Sequence, residues 1–296
     1  MQARKALNTR RAYAYGWNSF LAWCAAAERP WLPAEPHTVQ DFATWSITQG
    51  YRLGTIAIRL SAIAHYHRES GFETPIDAAV RRYLANAKRD LKEEPAGKAA
   101  LTYELLKQSA VRFPGTAAGI RNRAMILLTF ASGWRRSEIV ALRYSDVSFV
   151  REGLALWQRS SKTDQTGEGR LVGIERGRRA LTCPVRALEA WLETRGRWEG
   201  PLFVRMSSNG SVTRTGLEPR GERLHQALKR MLAEIGEDPA RFGAHSLRAG
   251  MITEAAKHGA SESSIMQRTG HHSSAMVRRY IRPANIFEFN PLKAVL

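Results

Sequence analysis

The sequence predicts a mainly α-helical protein with a small antiparallel β-sheet confined to its second part, and three observations predict it. Across the first ninety residues, apolar side chains return every three or four positions, the spacing of helices buried along one face. From Lys92 to Ala100 this periodicity lapses in a run containing Pro95 and Gly97. That run reads as a linker between two domains, residues 1–91 and 101–296. Beyond it, two short apolar runs flank a polar turn, the pattern of a β-hairpin set among further helices.

Tyr13, Trp17, Phe20, Leu21 and Cys24 form the stripe of the first helix. Thr38 caps a second, with Asp41 in capping-box position and Val39, Phe42 and Trp45 on the inner face. Thr55 opens a third that carries Ile56, Leu60, Ile63 and Tyr66 and ends at Gly71. A fourth starts at about Pro75 and turns Val80, Tyr83, Leu84, Ala87 and Leu91 inward. Four such helices make one small bundle. In the second part, Thr102 caps a helix, and an apolar helix from Ile120 to Ala131 runs into Ser132 and Gly133. Leu154 to Arg159 and Arg170 to Ile174 are the hairpin strands around the turn Ser160 to Gly169. Pro184 starts a helix through Trp191, Leu202 to Val204 is a short strand, and helices from Glu222 onward break at Gly236, Gly243, Gly259 and Gly270.

The charge balance narrows the function. Of the 296 residues, 45 are Lys or Arg and 27 are Asp or Glu, a net charge of +18. An excess of this size favours a polyanionic partner, because each neutralised phosphate releases condensed counterions. No run approaches the ~18 apolar residues of a membrane span, so no membrane role is expected. Cys24 and Cys183 stand far apart, without disulfide or metal-ligand spacing. The expected setting is reducing and cytoplasmic, with access to DNA.

Several polar residues then form a chemically coherent set. Arg135 and Glu138 lie three apart just after the apolar helix, Lys162 lies in the hairpin turn, and His245 and Arg248 lie one turn apart. Gly270-His271-His272 sits at a helix break, with Tyr280 nine residues after His271 among Arg278, Arg279 and Arg282. Breaking a phosphodiester reversibly requires storing its energy in a covalent ester, and a tyrosine hydroxyl can form one. The charge that develops on the phosphoryl oxygens requires fixed cationic donors, for which the planar fork of arginine is best suited. The departing oxygen needs a general acid, such as Lys or His. Taken singly, each residue has a plainer reading: Arg135 and Glu138 as a surface ion pair, His245 as a core histidine, Lys162 as a solvated turn, Tyr280 as a cation–π partner.

Taken in order, the set resembles the tyrosine recombinase (phage integrase) family over nearly the whole chain. Gly133-Trp134-Arg135-Arg136-Ser137-Glu138-Ile139 resembles its first arginine box, and His245-x-x-Arg248, Gly270-His271 and Tyr280 resemble its second. Trp134 and Arg136 depart from the smaller or aliphatic residues common there. The resemblance implies an N-terminal core-binding domain and a C-terminal catalytic domain that clamp double-stranded DNA. It implies Tyr280 as nucleophile, Arg135 and Arg248 as the phosphate clamp, and Lys162 as general acid. His245 would help deprotonate the tyrosine, His271 would bond the phosphate or the tyrosine, and Glu138 would orient the cations. No metal or cofactor is implied. Spacing to Tyr280 favours His271 over His272 as the residue facing the phosphate. The resemblance further implies a homotetramer on two DNA sites, closed by exchange of the apolar tail 286–296, with Ile286, Phe287, Phe289, Leu292, Val295 and Leu296. A tyrosine-type topoisomerase and a DNA-binding protein without the reaction are the alternatives. Covalent capture on nicked DNA separates the second alternative, and one-site against two-site plasmids the first.

Overall fold

The computed structural model describes residues 7–91, 97–159 and 169–284. The chain divides into two compact units, Met1–Ala96 and Gly97–Leu296.

The first unit contains four helices: α1 (Leu7–Ala26), α2 (Pro36–Thr48), α3 (Leu53–Glu69) and α4 (Ala78–Asp90). Helix α1 packs along α3, and Gly16 permits the approach, because a Cβ there would lie 3.1 Å from the Cα of Arg59. Phe20, Cys24, Val39, Phe42, Ile56, Ile63 and Val80 form the core. Phe20 meets the Phe42 ring edge-on at 5.2 Å, and Trp17 stacks on Tyr66 at 4.8 Å. Two helix starts differ from the sequence expectation. Helix α2 begins at Pro36, whose missing N–H suits the first helical position, so Thr38 lies inside the helix and is buried. Helix α3 begins at Leu53 after Arg52, which leaves Thr55 within its first turn. Asp77, rather than Pro75, starts α4 by accepting from Val80 N, and Leu91 lies exposed beyond that helix.

The second unit begins with residues read from sequence as the end of the linker. Here Lys98 Nζ donates to Ala240 O, Ala99 N to Arg241 O and Leu101 N to Ser246 O. The linker residues 92–96 lie outside the described residues. Helices α5 (Tyr103–Ala110) and α6 (Ala117–Ser132) follow, each capped by a threonine hydroxyl, from Thr102 and Thr116. Met125, Ile126, Leu127 and Leu128 are four consecutive buried residues of α6, so that helix is covered on every side and forms the centre of this unit. Helix α7 (Arg136–Val140) is short.

A three-stranded antiparallel sheet has the order β1 (Val147–Val150), β2 (Gly153–Gln158), β3 (Arg170–Glu175). Leu154, Leu156, Val172 and Ile174 bury one face, while Trp157 and Leu171 lie exposed on the other. Strand β1 escapes a sequence reading because Phe149 and Val150 are exposed and carry no burial alternation. The expected strand at 202–204 is displaced: β4 is Val204–Met206, paired with β5 (Val212–Gly216). Leu202 uses its backbone elsewhere, donating to Leu142 O and accepting from Trp191 Nε1. Helices α8 (Pro184–Arg195), α9 (Glu222–Glu234), α10 (Ala244–Lys257), α11 (Glu262–Thr269) and α12 (Ser274–Ala284) complete the unit. Among the described residues no helix is long and apolar enough to cross a membrane.

His67 makes the first unit sensitive to acid. Buried in α3, it donates from Nδ1 to Ile63 O and accepts at Nε2 from Ala34 N, both at 2.9 Å. Only the neutral ring can do both, and burial pushes its pKa below the ordinary histidine value. The unfolded chain therefore binds the proton first as pH falls. The stabilisation is complete above about pH 6.5 and is lost on acidification below it. Urea unfolding followed between pH 7.5 and 5 should show this loss. His67→Leu should cost about 1–3 kcal/mol at pH 7.5 by orphaning Ala34 N–H and should flatten the profile; an unchanged slope in that variant would assign the acid sensitivity to other groups.

Candidate active site

Helix α6 ends at Gly133, whose φ of +66° is left-handed backbone, and a Cβ there would meet Met251 Cε at 2.1 Å. The chain turns sharply, buries Trp134 and brings Arg135 to the N-cap of α7. Glu138, three residues on, turns its carboxylate back. It accepts from Arg135 N at 2.7 Å and from Arg135 Nη1 at 2.8 Å. The carboxylate is buried and the guanidinium partly open, so Glu138 fixes the direction in which Arg135 faces.

Helix α10 starts where Ser246 Oγ accepts from Gly243 N, which sets His245 and Arg248 one turn apart. Arg248 is only 1% exposed. Its Nη1 donates to Gly133 O at 2.8 Å, at the negative end of α6, and its Nη2 to His271 Nε2 at 3.0 Å. Its Nε has no protein partner. Burial, then the charge of Arg135, lowers its pKa to about 10, with Glu138 opposing the shift, so it stays a cation at neutral pH.

The tautomer of His271 follows from its neighbours. Thr269 Oγ1 donates its one proton to Ile265 O at 2.7 Å. It can therefore only accept from His271 Nδ1, also 2.7 Å away. Nε2 then carries the lone pair that receives Arg248. Burial and the positive charges of Arg248 and Arg135 lower the His271 pKa to about 4. Of the adjacent pair, His271 is buried against Arg248 and His272 is exposed.

His245 Nε2 lies 2.8 Å from the Tyr280 hydroxyl, which α12 carries. His245 as a residue is exposed. The protein packed around it, with the charges of Arg248 and Arg135, still holds its pKa below the ordinary value. A neutral imidazole beside a phenol is placed to accept its proton. Tyr280, His245, Arg248, His271, Arg135 and Glu138 thus form one connected site. Lys162 lies outside the described residues.

Sequence reasoning missed three members. Arg170, at the start of β3, donates to Gln158 Oε1 from Nε and Nη2 and to Gln267 O from Nη1, and its charge acts on Arg248 and His271. Thr269 fixes the ring of His271. Gln158 and Arg170 stand opposite each other in the strand register, which was a detectable signal once the hairpin was recognised. Three arginines, two histidines held neutral at pH 7 and one carboxylate make a receptor for an oxyanion. No group of three or more His, Cys, Asp or Glu suited to a metal occurs among the described residues.

Comparison with known proteins finds two matching family models and several similar proteins. The model of the phage integrase family matches residues 103–285, and that of the phage integrase N-terminal SAM-like domain matches residues 1–71. An integrase/recombinase XerD homolog of Selenomonas ruminantium is 34% identical over 99% of this chain and 86% of its own length. The recombinase Cre of Escherichia phage P1 is 28% identical over 89% of this chain and 80% of its own. Among solved structures, the XerH site-specific recombinase bound to its difH substrate aligns with a TM-score of 0.64 at 17% identity, covering 91% of this chain and 74% of that one.

Nitrogen-15 NMR should show His271 as the neutral Nδ1–H tautomer, with no protonation until pH approaches about 4. Thr269→Val removes the acceptor of Nδ1–H and should speed the exchange of that proton, while Arg248 still holds Nε2 as the acceptor. A protonated Nε2 in the unaltered protein at pH 7 would contradict the hydrogen-bond assignment.

Proposed function

This chain belongs to the phage integrase family, the tyrosine recombinases, and from that membership we propose that it breaks and rejoins double-stranded DNA at specific sites through a 3′-phosphotyrosyl intermediate. The contact between His245 Nε2 and the Tyr280 hydroxyl carries the reading, because it pairs the nucleophile with a neutral base inside an arginine-lined site. His245 takes the phenolic proton as Tyr280 Oη attacks phosphorus. The bond to the 5′-oxygen breaks, and Lys162 supplies the proton that oxygen needs. One phosphoester replaces another, so no high-energy cofactor is consumed, and the reverse steps seal the strand. Arg135 and Arg248 take the non-bridging oxygens, and they supply the positive charge a metal would otherwise bring. Glu138 orients Arg135, and His271 orients Arg248 until the phosphate arrives. An incoming anion then raises the proton affinity of His271, so that Nε2 takes a proton from solvent and donates it in a hydrogen bond to the phosphate.

Both units are proposed to contact the duplex, the N-terminal helices through backbone and groove contacts. The active assembly is proposed as a tetramer on two sites, each protomer docking its apolar tail 286–296 on a neighbour. That tail lies outside the described residues.

Tyr280→Phe should abolish covalent attachment to a nicked duplex and leave DNA binding intact. Arg135→Ala and Arg248→Ala should each cost about 3 kcal/mol of transition-state stabilisation, measured as single-turnover cleavage. A 5′-bridging sulfur, a far better leaving group, should rescue Lys162→Ala and neither arginine variant; failure of that rescue would move the general acid elsewhere. Because the pKa of His245 is lowered, cleavage should hold its rate as pH falls through about 6.5, the ordinary histidine value. Deleting residues 286–296 should spare single-site binding and abolish exchange between two sites. Normal recombination by the truncated chain would refute tail exchange. Relaxation of a one-site plasmid without exchange would favour a topoisomerase.

A further inference from the structure

Arg170 belongs to the arginine cluster but is used in none of the proposed steps, and three parts of the catalytic unit meet on its guanidinium. It is the cross-strand partner of Gln158, in the last pair of the β2–β3 ladder. Within that pair, Nε and Nη2 both point to Gln158 Oε1, at 3.1 and 2.6 Å. Across the gap to α11, Nη1 reaches Gln267 O at 2.8 Å. Gln267 lies in the last turn of α11, where helix carbonyls lack intrahelical donors and a cation is favoured.

The next contact is steric. Gly270 follows α11 at φ +69°, and a Cβ on it would lie 2.6 Å from Arg170 Nη1 and 3.1 Å from its Cζ. The guanidinium therefore lies directly against the backbone of the turn that presents His271. Glycine is needed there twice, for the left-handed backbone and for the room Arg170 occupies. His271 in turn receives Arg248 at 3.0 Å. A lysine could not replace Arg170, because one ammonium cannot span Gln158 Oε1 on one side and Gln267 O on the other with a flat fork.

We propose that Arg170 is a positioning residue, which locks the Gly270–His271 turn to the base of the β2–β3 hairpin so that His271 holds Arg248 in its phosphate-facing direction. The consequence for cleavage rests on the recombinase reading; the consequence for the turn does not. Bulk charge and DNA contact are the competing roles, and each leaves a different signature.

The test uses the full chain carrying Arg170→Ala, Arg170→Lys, His271→Ala and the Arg170→Ala/His271→Ala pair. At saturating protein on a nicked duplex, both Arg170 variants should slow covalent attachment by about 10- to 100-fold, the usual effect of removing a group that orients a contacting ligand. Equilibrium DNA binding and thermal unfolding should stay close to those of the unaltered chain. In the His271→Ala background, Arg170→Ala should add little, because both changes act through one contact. Full activity in Arg170→Lys, effects that multiply in the double variant, or a loss confined to DNA binding would each overturn the assignment. Independently of any reaction, the Nδ1–H signal of His271 should exchange slowly in the unaltered protein and fast in Arg170→Ala. Persistence of that signal in the variant overturns the proposal, whereas loss of the signal with no adduct formed by the unaltered chain counts against the recombinase reading alone.

Discussion

The constraint on which this structure turns is the burial of Arg248 without a carboxylate of its own. A guanidinium taken out of water is costly unless its donors are met and its charge is answered. Arg248 meets the carbonyl of Gly133 and the lone pair of His271, and both are neutral. The nearby carboxylate, Glu138, already receives Arg135 through both the backbone and the side chain. Positive charge therefore stays in excess, and under the proposed function an entering phosphate would supply the anion that the protein withholds. The same excess lowers the pKa values of His245 and His271 and keeps both rings available as acceptors.

Helix ends provide the means of holding so many cations. The end of α6 offers Ala131 O to Arg268 and Gly133 O to Arg248, and the end of α11 offers Gln267 O to Arg170. Each carbonyl lies where a helix has run out of donors and its dipole is negative. This arrangement stabilises arginines without neutralising them, which a carboxylate would do. It also explains why the sharp turns at Gly133 and Gly270 border the site: each ends a helix abruptly enough to aim carbonyls at a side chain from a distant element.

The two units depend on different physics. The first is held by aromatic packing around Phe20, Phe42 and Trp17, with one buried histidine tying α3 to Ala34. The second is built around α6, whose buried stretch Ala124–Leu128 forms its centre and whose end at Gly133 borders the arginine cluster. Rigidity in the core and openness at its edge are thus set by the same element.

By itself the sequence determined the helical periodicity, the hairpin, the break near residue 95 and the ordered set of Arg135, Glu138, His245, Arg248, His271 and Tyr280. Those are local or residue-type signals, which survive without coordinates. It was less informative about α2 and α3, where the caps expected at Thr38 and Thr55 gave way to Pro36 and Leu53 as the first helical residues. It missed β1, whose exposed residues carry no alternation. Spacing along the chain favoured His271 over His272, and the fold buries it against Arg248; only the tertiary structure decided that Thr269 sets its tautomer and that Arg170 joins the cluster. Those contacts link residues as far as 97 positions apart. A side chain's partner at that distance depends on how helix ends and strand edges pack, and no spacing along the chain records it.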